Sequence, residues 1–434
     1  MKKAKTICAI LSGVTLLNTV IGTCGVTAFA DEQKKYDVTL NVVGVDNVLS
    51  STFLKHRDEL EETLGIKIEF QQFSNEQASN KIAVSMAAGG NDIDVMMIRP
   101  LDETLLYSQN GWLENLQPYV DEDSEEIDYD DFMQACKDVC TNEEGNVVAL
   151  PMMTESGIIY YNKTMFEAAG ITDLPTTWDE LYEVAGKLND PDNDISGFVC
   201  RGSGNPAVTQ FSTVLRSYGG DFFDENGNAA LNTEEAVAAF EFYGKLLRDY
   251  GPTGVLNMGW PETWNLFTQG KAAMRLDVNT NLAAWSDDDS VISYDEIGYF
   301  DVPVGPNGDY GNYYVTSWAL AMSSGSENKE AAWEFIKWAT SKEMQIEAQQ
   351  NGNSGARNSC WEENYSIYPE DVEKIAAHAG ADGYGTDRPY MINVASGRDI
   401  IGEVIVAAIE GEDDIQALAD KKNEEFQELL DSEK

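Results

Sequence analysis

Apolar residues recur along this chain in two rhythms, one of period two and one of three to four, and the two alternate repeatedly. Val38-Thr39-Leu40-Asn41-Val42-Val43 reads as a first strand. Residues 51–64 read as a charged helix. Ile66-Lys67-Ile68-Glu69-Phe70 alternates strictly, as a half-buried strand does. Residues 80–88 read as a helix closed by Gly89-Gly90, and 93–98 as a short apolar strand. This order of strand and helix predicts a parallel or mixed sheet with helices on its faces. The pattern then restarts. Residues 147–150 and 158–161 are expected strands, separated by Pro151-Met152-Met153-Thr154-Glu155-Ser156-Gly157 as an expected hinge. Thr177-Trp178-Asp179-Glu180 has the form of a capping box and starts a helix. Residues 234–248 and 329–339 are further helices, and the C-terminal third is mostly helical.

With 434 residues the chain exceeds what one apolar core usually serves, so two lobes are expected. Its first 30 residues read as an export signal: Lys2, Lys3 and Lys5 precede a mostly apolar stretch, and Ala28-Phe29-Ala30 has the form of a signal-peptidase site. Three readings stay open, cleavage after Ala30, lipid attachment at Cys24 within Ile21-Gly22-Thr23-Cys24, or an uncleaved anchor. All place the protein outside the cell. No later stretch approaches the roughly 20 apolar residues of a membrane span.

The balance of 29 basic against 75 acidic residues gives a formal charge of −46, which argues against nucleic acid or anionic lipid as a partner. It reads either as a repeller of acidic ligands or a docking face, or as a solvated coat that keeps an exported protein soluble. Cys136, Cys140, Cys200 and Cys360 follow the signal, and the first two are at helical spacing, a poor geometry for a disulfide. No metal or cofactor is expected. The acidic loop at Asp190 lacks the glycine and terminal glutamate of a calcium loop, and the one at Asp224 lacks the glycine. No zinc-protease motif, phosphate loop or nucleophile elbow occurs, and His56 and His378 have no evident triad. A secreted glycoside-acting enzyme needs only two carboxylates, so it stays as the alternative to a pure binder.

Several segments, taken in order, resemble one family. They are Ala87-Ala88-Gly89-Gly90-Asn91-Asp92-Ile93-Asp94-Val95, then Leu150-Pro151 with Tyr160-Tyr161-Asn162-Lys163 and Phe166-Glu167-Ala168-Ala169-Gly170. Pro175-Thr176-Thr177-Trp178, Tyr218-Gly219-Gly220, Gln269-Gly270-Lys271-Ala272-Ala273-Met274 and Ala331-Ala332-Trp333-Glu334-Phe335-Ile336 follow. Together they resemble the family-1 extracellular solute-binding proteins, the maltose-binding-protein-like group, and Thr154-Glu155-Ser156, Ile195-Ser196-Gly197 with Arg201-Gly202, Gly251-Pro252-Thr253-Gly254-Val255, Asp277, Ser317-Trp318-Ala319-Leu320-Ala321 and Gly355-Ala356-Arg357-Asn358-Ser359 resemble its sorbitol/mannitol-binding branch. Arg99-Pro100 departs from that branch, which has small or polar residues there.

The resemblance implies an α/β, two-lobed periplasmic-binding-protein-like fold of type II, with mixed sheets flanked by helices and a ligand cleft between the lobes. It implies a monomer that captures a sugar or polyol by hinge closure, without chemistry, for the membrane permease subunits of an ABC importer. Lobe one is expected at 36–153 plus 304–340 and lobe two at 154–303 plus 341–434, with crossings near Thr154, Pro303 and Thr340.

A sugar cleft needs aromatic faces for ring carbons and charged or amide partners for hydroxyls. Glu155 in the hinge is expected to accept from ligand hydroxyls. Arg201, after the apolar run Gly197-Phe198-Val199-Cys200, and Arg357, in a Gly/Asn/Ser loop, are expected donors. Asp277 is placed near the mouth of the strand ending Ala272-Ala273-Met274-Arg275-Leu276. Trp318 and Trp260 are expected stacking residues, and Trp264 a possible one. Trp333 and Trp338 belong to packing.

Overall fold

The computed structural model describes residues 35–286, 288–306, 315–361, 369–382 and 386–434. The export signal and Cys24 lie outside the described residues. Seven strands are found among the described residues: β1 (Val38–Val45), β2 (Ile66–Phe73), β3 (Val95–Ile98), β4 (Ala149–Asn162), β5 (Met274–Val278), β6 (Ile297–Phe300) and β7 (Val315–Met322). In the first lobe β2, β1 and β3 run parallel, joined through helices, and β7 then pairs antiparallel with β3 and with the first half of β4. In the second lobe the other half of β4 pairs antiparallel with β5 and β6.

The stretch expected to be a hinge loop is therefore strand. β4 changes partners in mid-course: Ser156 still pairs with Val315, and Gly157 already pairs with Val278. Apolar residues on both sides of the stretch keep it buried, and Thr154, Ser156 and Ser317 are buried with it. One backbone thus runs through both sheets, and Glu155 sits one residue from the point where it passes from one to the other.

Local chemistry explains the helices around this frame. Asn47 caps Val48–Lys55 in a capping box with Ser50, and Phe53 packs edge-on against Phe70 and Phe335. The residues expected to form one long helix divide at His56, which caps Arg57–Leu64. Thr177 caps Trp178–Leu188 as its sequence foretells, and Lys329–Ala339 is a helix with the expected limits. The second lobe is filled by aromatic packing such as Phe211 stacked on Phe240 at 4.3 Å. All four described cysteines are buried free thiols.

Two crossings fall later than expected. Val304 exchanges backbone hydrogen bonds with Thr176 and Trp178, so the chain is still on the second lobe there. After Thr340 the chain stays on the first lobe, because helix Lys342–Gln350 turns Met344, Gln345 and Ala348 inward and packs on Val48–Lys55. Gln345 and Met133 then hold Ala356 by its backbone N–H and carbonyl. The segment 341–361 belongs with the first lobe, and helix Glu370–Asp382 lies on β4 and β6.

Candidate functional site

A cavity of about 430 Å³ opens where the two lobes face each other. The first lobe contributes Arg99 and Asp102 at the start of helix Pro100–Gln109, and Ser317 and Trp318 from β7. Glu155 comes from the partner-switching point of β4. The second lobe contributes Arg201, Asn205, Thr209, Trp260, Asn281, Arg388 and Arg398.

Helix geometry places the first group. Pro100 at the helix start fixes the entry, and the Glu103 carboxylate turns back to accept from the Arg99 backbone N–H at 2.6 Å. That leaves the Arg99 side chain lying over the first turn, near Asp102 at 3.4 Å and Glu103 at 3.5 Å. The departure from the branch pattern at Arg99-Pro100 thus lies in the cavity wall. On the other lobe Arg398 projects from helix Val394–Glu410. Gly402 of that helix lies so close to Gly204 and Asn205 that a Cβ would stand 2.6 Å from the Gly204 carbonyl carbon. The close approach carries the Asn205 carbonyl to Arg398, which donates to it at 2.8 and 3.2 Å.

Charge pairing organises the wall. Asp102 receives both Arg388 hydrogen bonds from Nη1, at 2.8 and 2.9 Å, and Arg388 turns its other edge to Asp387 at 2.5 and 2.7 Å. Asp102 belongs to the first lobe and Arg388 to the second, so this pair bridges the cleft. Burial would raise the Asp387 carboxyl, but Arg388 outweighs it and holds the group at about 2. Glu155 accepts from Thr280 at 2.8 Å, and burial pushes its carboxyl above the ordinary carboxylate range. The Trp318 indole is half-buried, and that of Trp260 is 44% exposed at the start of helix Trp260–Thr268.

Of the residues expected from the sequence, Glu155, Arg201, Trp260 and Trp318 line this cavity and three do not. Asp277 is fully buried behind Arg201, which donates to it at 2.6 and 3.2 Å, while Arg275 holds it from the other side at 2.6 Å. It orients Arg201 instead of facing the cavity. Arg357 points into the first lobe. There it donates to the Thr340, Ile127 and Asp128 carbonyls, pairs with Asp131 at 3.4 Å and lies 3.9 Å over the Phe132 ring. Trp264 is core, packed edge-on to Tyr160 with the Arg275 guanidinium over its ring. Arg99, Asp102, Arg388 and Arg398 were not anticipated. Among the described residues no cluster of histidine, cysteine or acids is arranged to hold a metal ion.

A family model described as bacterial extracellular solute-binding protein matches residues 49–346. The mannitol-binding protein of Pseudomonas aeruginosa is 31% identical over 268 residues, which span 60% of this chain and 59% of that protein. The erythritol/L-threitol-binding protein of Mycolicibacterium smegmatis is 26% identical over 348 residues, 76% of this chain and 72% of that one. An ABC transporter solute-binding protein of Agrobacterium radiobacter K84, solved in complex with ribitol, superposes with a TM-score of 0.80 at 26% identity, covering 92% of this chain and 100% of that one.

Proposed function

Because this chain belongs to the bacterial extracellular solute-binding proteins, we propose that it is the substrate-binding component of a carbohydrate ABC importer, closing on a sugar or polyol and passing it to membrane permease subunits. A solute-binding protein is not an enzyme, and the ligand leaves as it entered. The observation that carries the reading is the polar cavity between two lobes, with half-exposed indoles beside guanidinium and carboxylate groups. Hydroxyls need donors and acceptors in fixed directions, and sugar carbons need a flat apolar face. Relatives that bind mannitol and erythritol or L-threitol, and a structural neighbour holding ribitol, support a polyhydroxylated ligand. The protein works as a monomer outside the cell, either free after cleavage at Ala30 or lipid-anchored through Cys24.

Thermal-shift screening against sugars, polyols, amino acids and peptides tests this. A true ligand at a hundredfold excess over its Kd stabilises the protein by about 2.7 kcal/mol. Stabilisation by amino acids or peptides alone would sink the carbohydrate reading. With a ligand in hand, Arg201→Ala is expected to weaken binding by about 2–3 kcal/mol, the worth of a charge-assisted donor set. Arg275 stays on Asp277 in that variant, so circular dichroism is expected to report a retained fold. Unchanged affinity in calorimetric titration would assign Arg201 to the wall alone.

A further inference from the structure

Resting on that reading of the cavity, we propose that the ligand is a sugar acid, a polyhydroxylated carbon chain carrying one carboxylate, and that Arg398 is the residue that holds the carboxylate. The cavity wall carries four guanidinium groups, on Arg99, Arg201, Arg388 and Arg398, against the carboxylates of Asp102 and Glu155. Three of the four are matched by protein acids. Arg388 lies between Asp102 and Asp387, Arg201 is held by Asp277, and Arg99 lies beside Asp102 and Glu103.

Arg398 is different. It is 9% exposed, and Asp387 and Asp102 act on it only through space, without a direct ion pair among the described residues. Its Nε and Nη2 go to the Asn205 carbonyl, with Thr209 Oγ1 at 3.4 Å from Nη2, and both Asn205 and Thr209 also line the cavity. Asp387 and Asp102, whose charges reach Arg398, have their oxygens on Arg388. The third nitrogen of Arg398, Nη1, makes no hydrogen bond within the described residues. Burial, and then the like charge of Arg388, pull the Arg398 guanidinium down to about 9, the direction that an anion in the cavity reverses.

A buried cation whose nearest acids are bonded to another guanidinium is left under-compensated unless something supplies a further negative charge. A ligand carboxylate does so, and its two oxygens suit a guanidinium edge. A neutral polyol does not, because each hydroxyl that accepts also brings a proton that needs an acceptor. A single unmatched guanidinium suits one negative charge, whereas a phosphate monoester brings nearly two. The formal charge of −46 works against an approaching anion. Screening beyond roughly 8 Å at physiological salt confines most of that effect to encounter, and the bound state is governed by the wall.

The test is calorimetric titration of the full mature chain with matched pairs: mannitol and mannonate, ribitol and ribonate, and ribose 5-phosphate as the doubly charged arm. The wild type, Arg398→Gln and Arg398→Lys are titrated at one pH and salt. The expected result is an acid that binds at least about tenfold tighter than its own polyol, as one charge-assisted pair warrants. Arg398→Gln removes that preference and Arg398→Lys keeps part of it. A polyol that binds the wild type as tightly as its acid, or a phosphate ester that binds tighter, overturns the inference while leaving the carbohydrate reading standing. An acid preference that survives in Arg398→Gln also overturns it. Binding of amino acids or peptides with no response to any of these compounds overturns both. The wild-type comparison stands even if a variant fails to fold.

Discussion

Arg357→Ala is expected to lower the stability of the fold by about 3–5 kcal/mol while leaving ligand affinity unchanged. The side chain is almost wholly buried and donates to three carbonyls: that of Ile127, that of Asp128, which also takes the Asp131 N–H, and that of Thr340, which also takes the Gln345 amide. It also faces Asp131, whose carboxylate holds the Ser359 N–H and hydroxyl. Truncation strands the Ile127 carbonyl and removes the counter-charge of the largely buried Asp131, and a group left unmatched in the interior costs more than the bond itself was worth. The Phe132 ring loses the cation over its face as well. Urea unfolding checks this, with the midpoint falling at unchanged slope. A variant of ordinary stability that binds ligand poorly would return Arg357 to the cleft.

Asp277→Asn is expected to damage both stability and binding. The substitution keeps the volume and removes the charge that lies between Arg201 and Arg275, of which Arg275 is fully buried. Two guanidinium groups would then face an amide whose NH2 end points a donor at donors. A loss of about 3–5 kcal/mol is expected, with Arg201 released from the orientation that carries it into the cavity. The pH dependence gives a second readout. Burial alone would raise the Asp277 carboxyl, but Arg201 and Arg275 prevail and hold it below the ordinary aspartate range. Its contribution is therefore complete above the unfolded-state value near 4 and fades as pH falls through the lower native one. The stability gap between wild type and variant is expected to be full at neutral pH and to narrow below about pH 4. A gap that widens in acid would contradict the ion-pair assignment.

How much of this was legible beforehand depended on what each pattern could express. Capping residues and periodicity state local conformation, so the helix at Thr177 and that at Lys329–Ala339 were readable to within a residue. Segment order carried the fold. The strand through Glu155 was misread as a loop because Pro151 and Gly157 are turn residues in isolation. In the molecule both lie in β4, where β7 and β5 supply partners from far along the chain. Asp277 was misplaced for a related reason. Alternation separates an inner from an outer face only when one face meets water, and all five residues of β5 are buried. A lone arginine in a polar loop says nothing about direction, so Arg201 and Arg357 looked alike, although one meets the cleft and the other meets carbonyls. Arg398 did leave a signal. It falls on the stripe Val394, Arg398, Ile401, Ile405, Ala408, a cation on the apolar face of a helix, which is where a buried charge must find a partner. Arg388, in an irregular segment, left none.

The contact between Asp102 and Arg388 consists of protein atoms only, so it draws the lobes together with or without cargo between them. In the role proposed here, it acts as the set point of an importer. Each 1.4 kcal/mol in its strength changes by tenfold how often an empty copy shows the shape of a loaded one. A stronger bridge lengthens the residence of a scarce nutrient, since less of the binding energy goes into closing. It also presents more empty copies to the permease, and each of those can trigger ATP hydrolysis that moves nothing. Scavenging at low supply and idling at no supply are thus two ends of one dial, readable in reconstituted vesicles as ATP turnover without sugar, and a single aspartate–arginine pair holds the pointer.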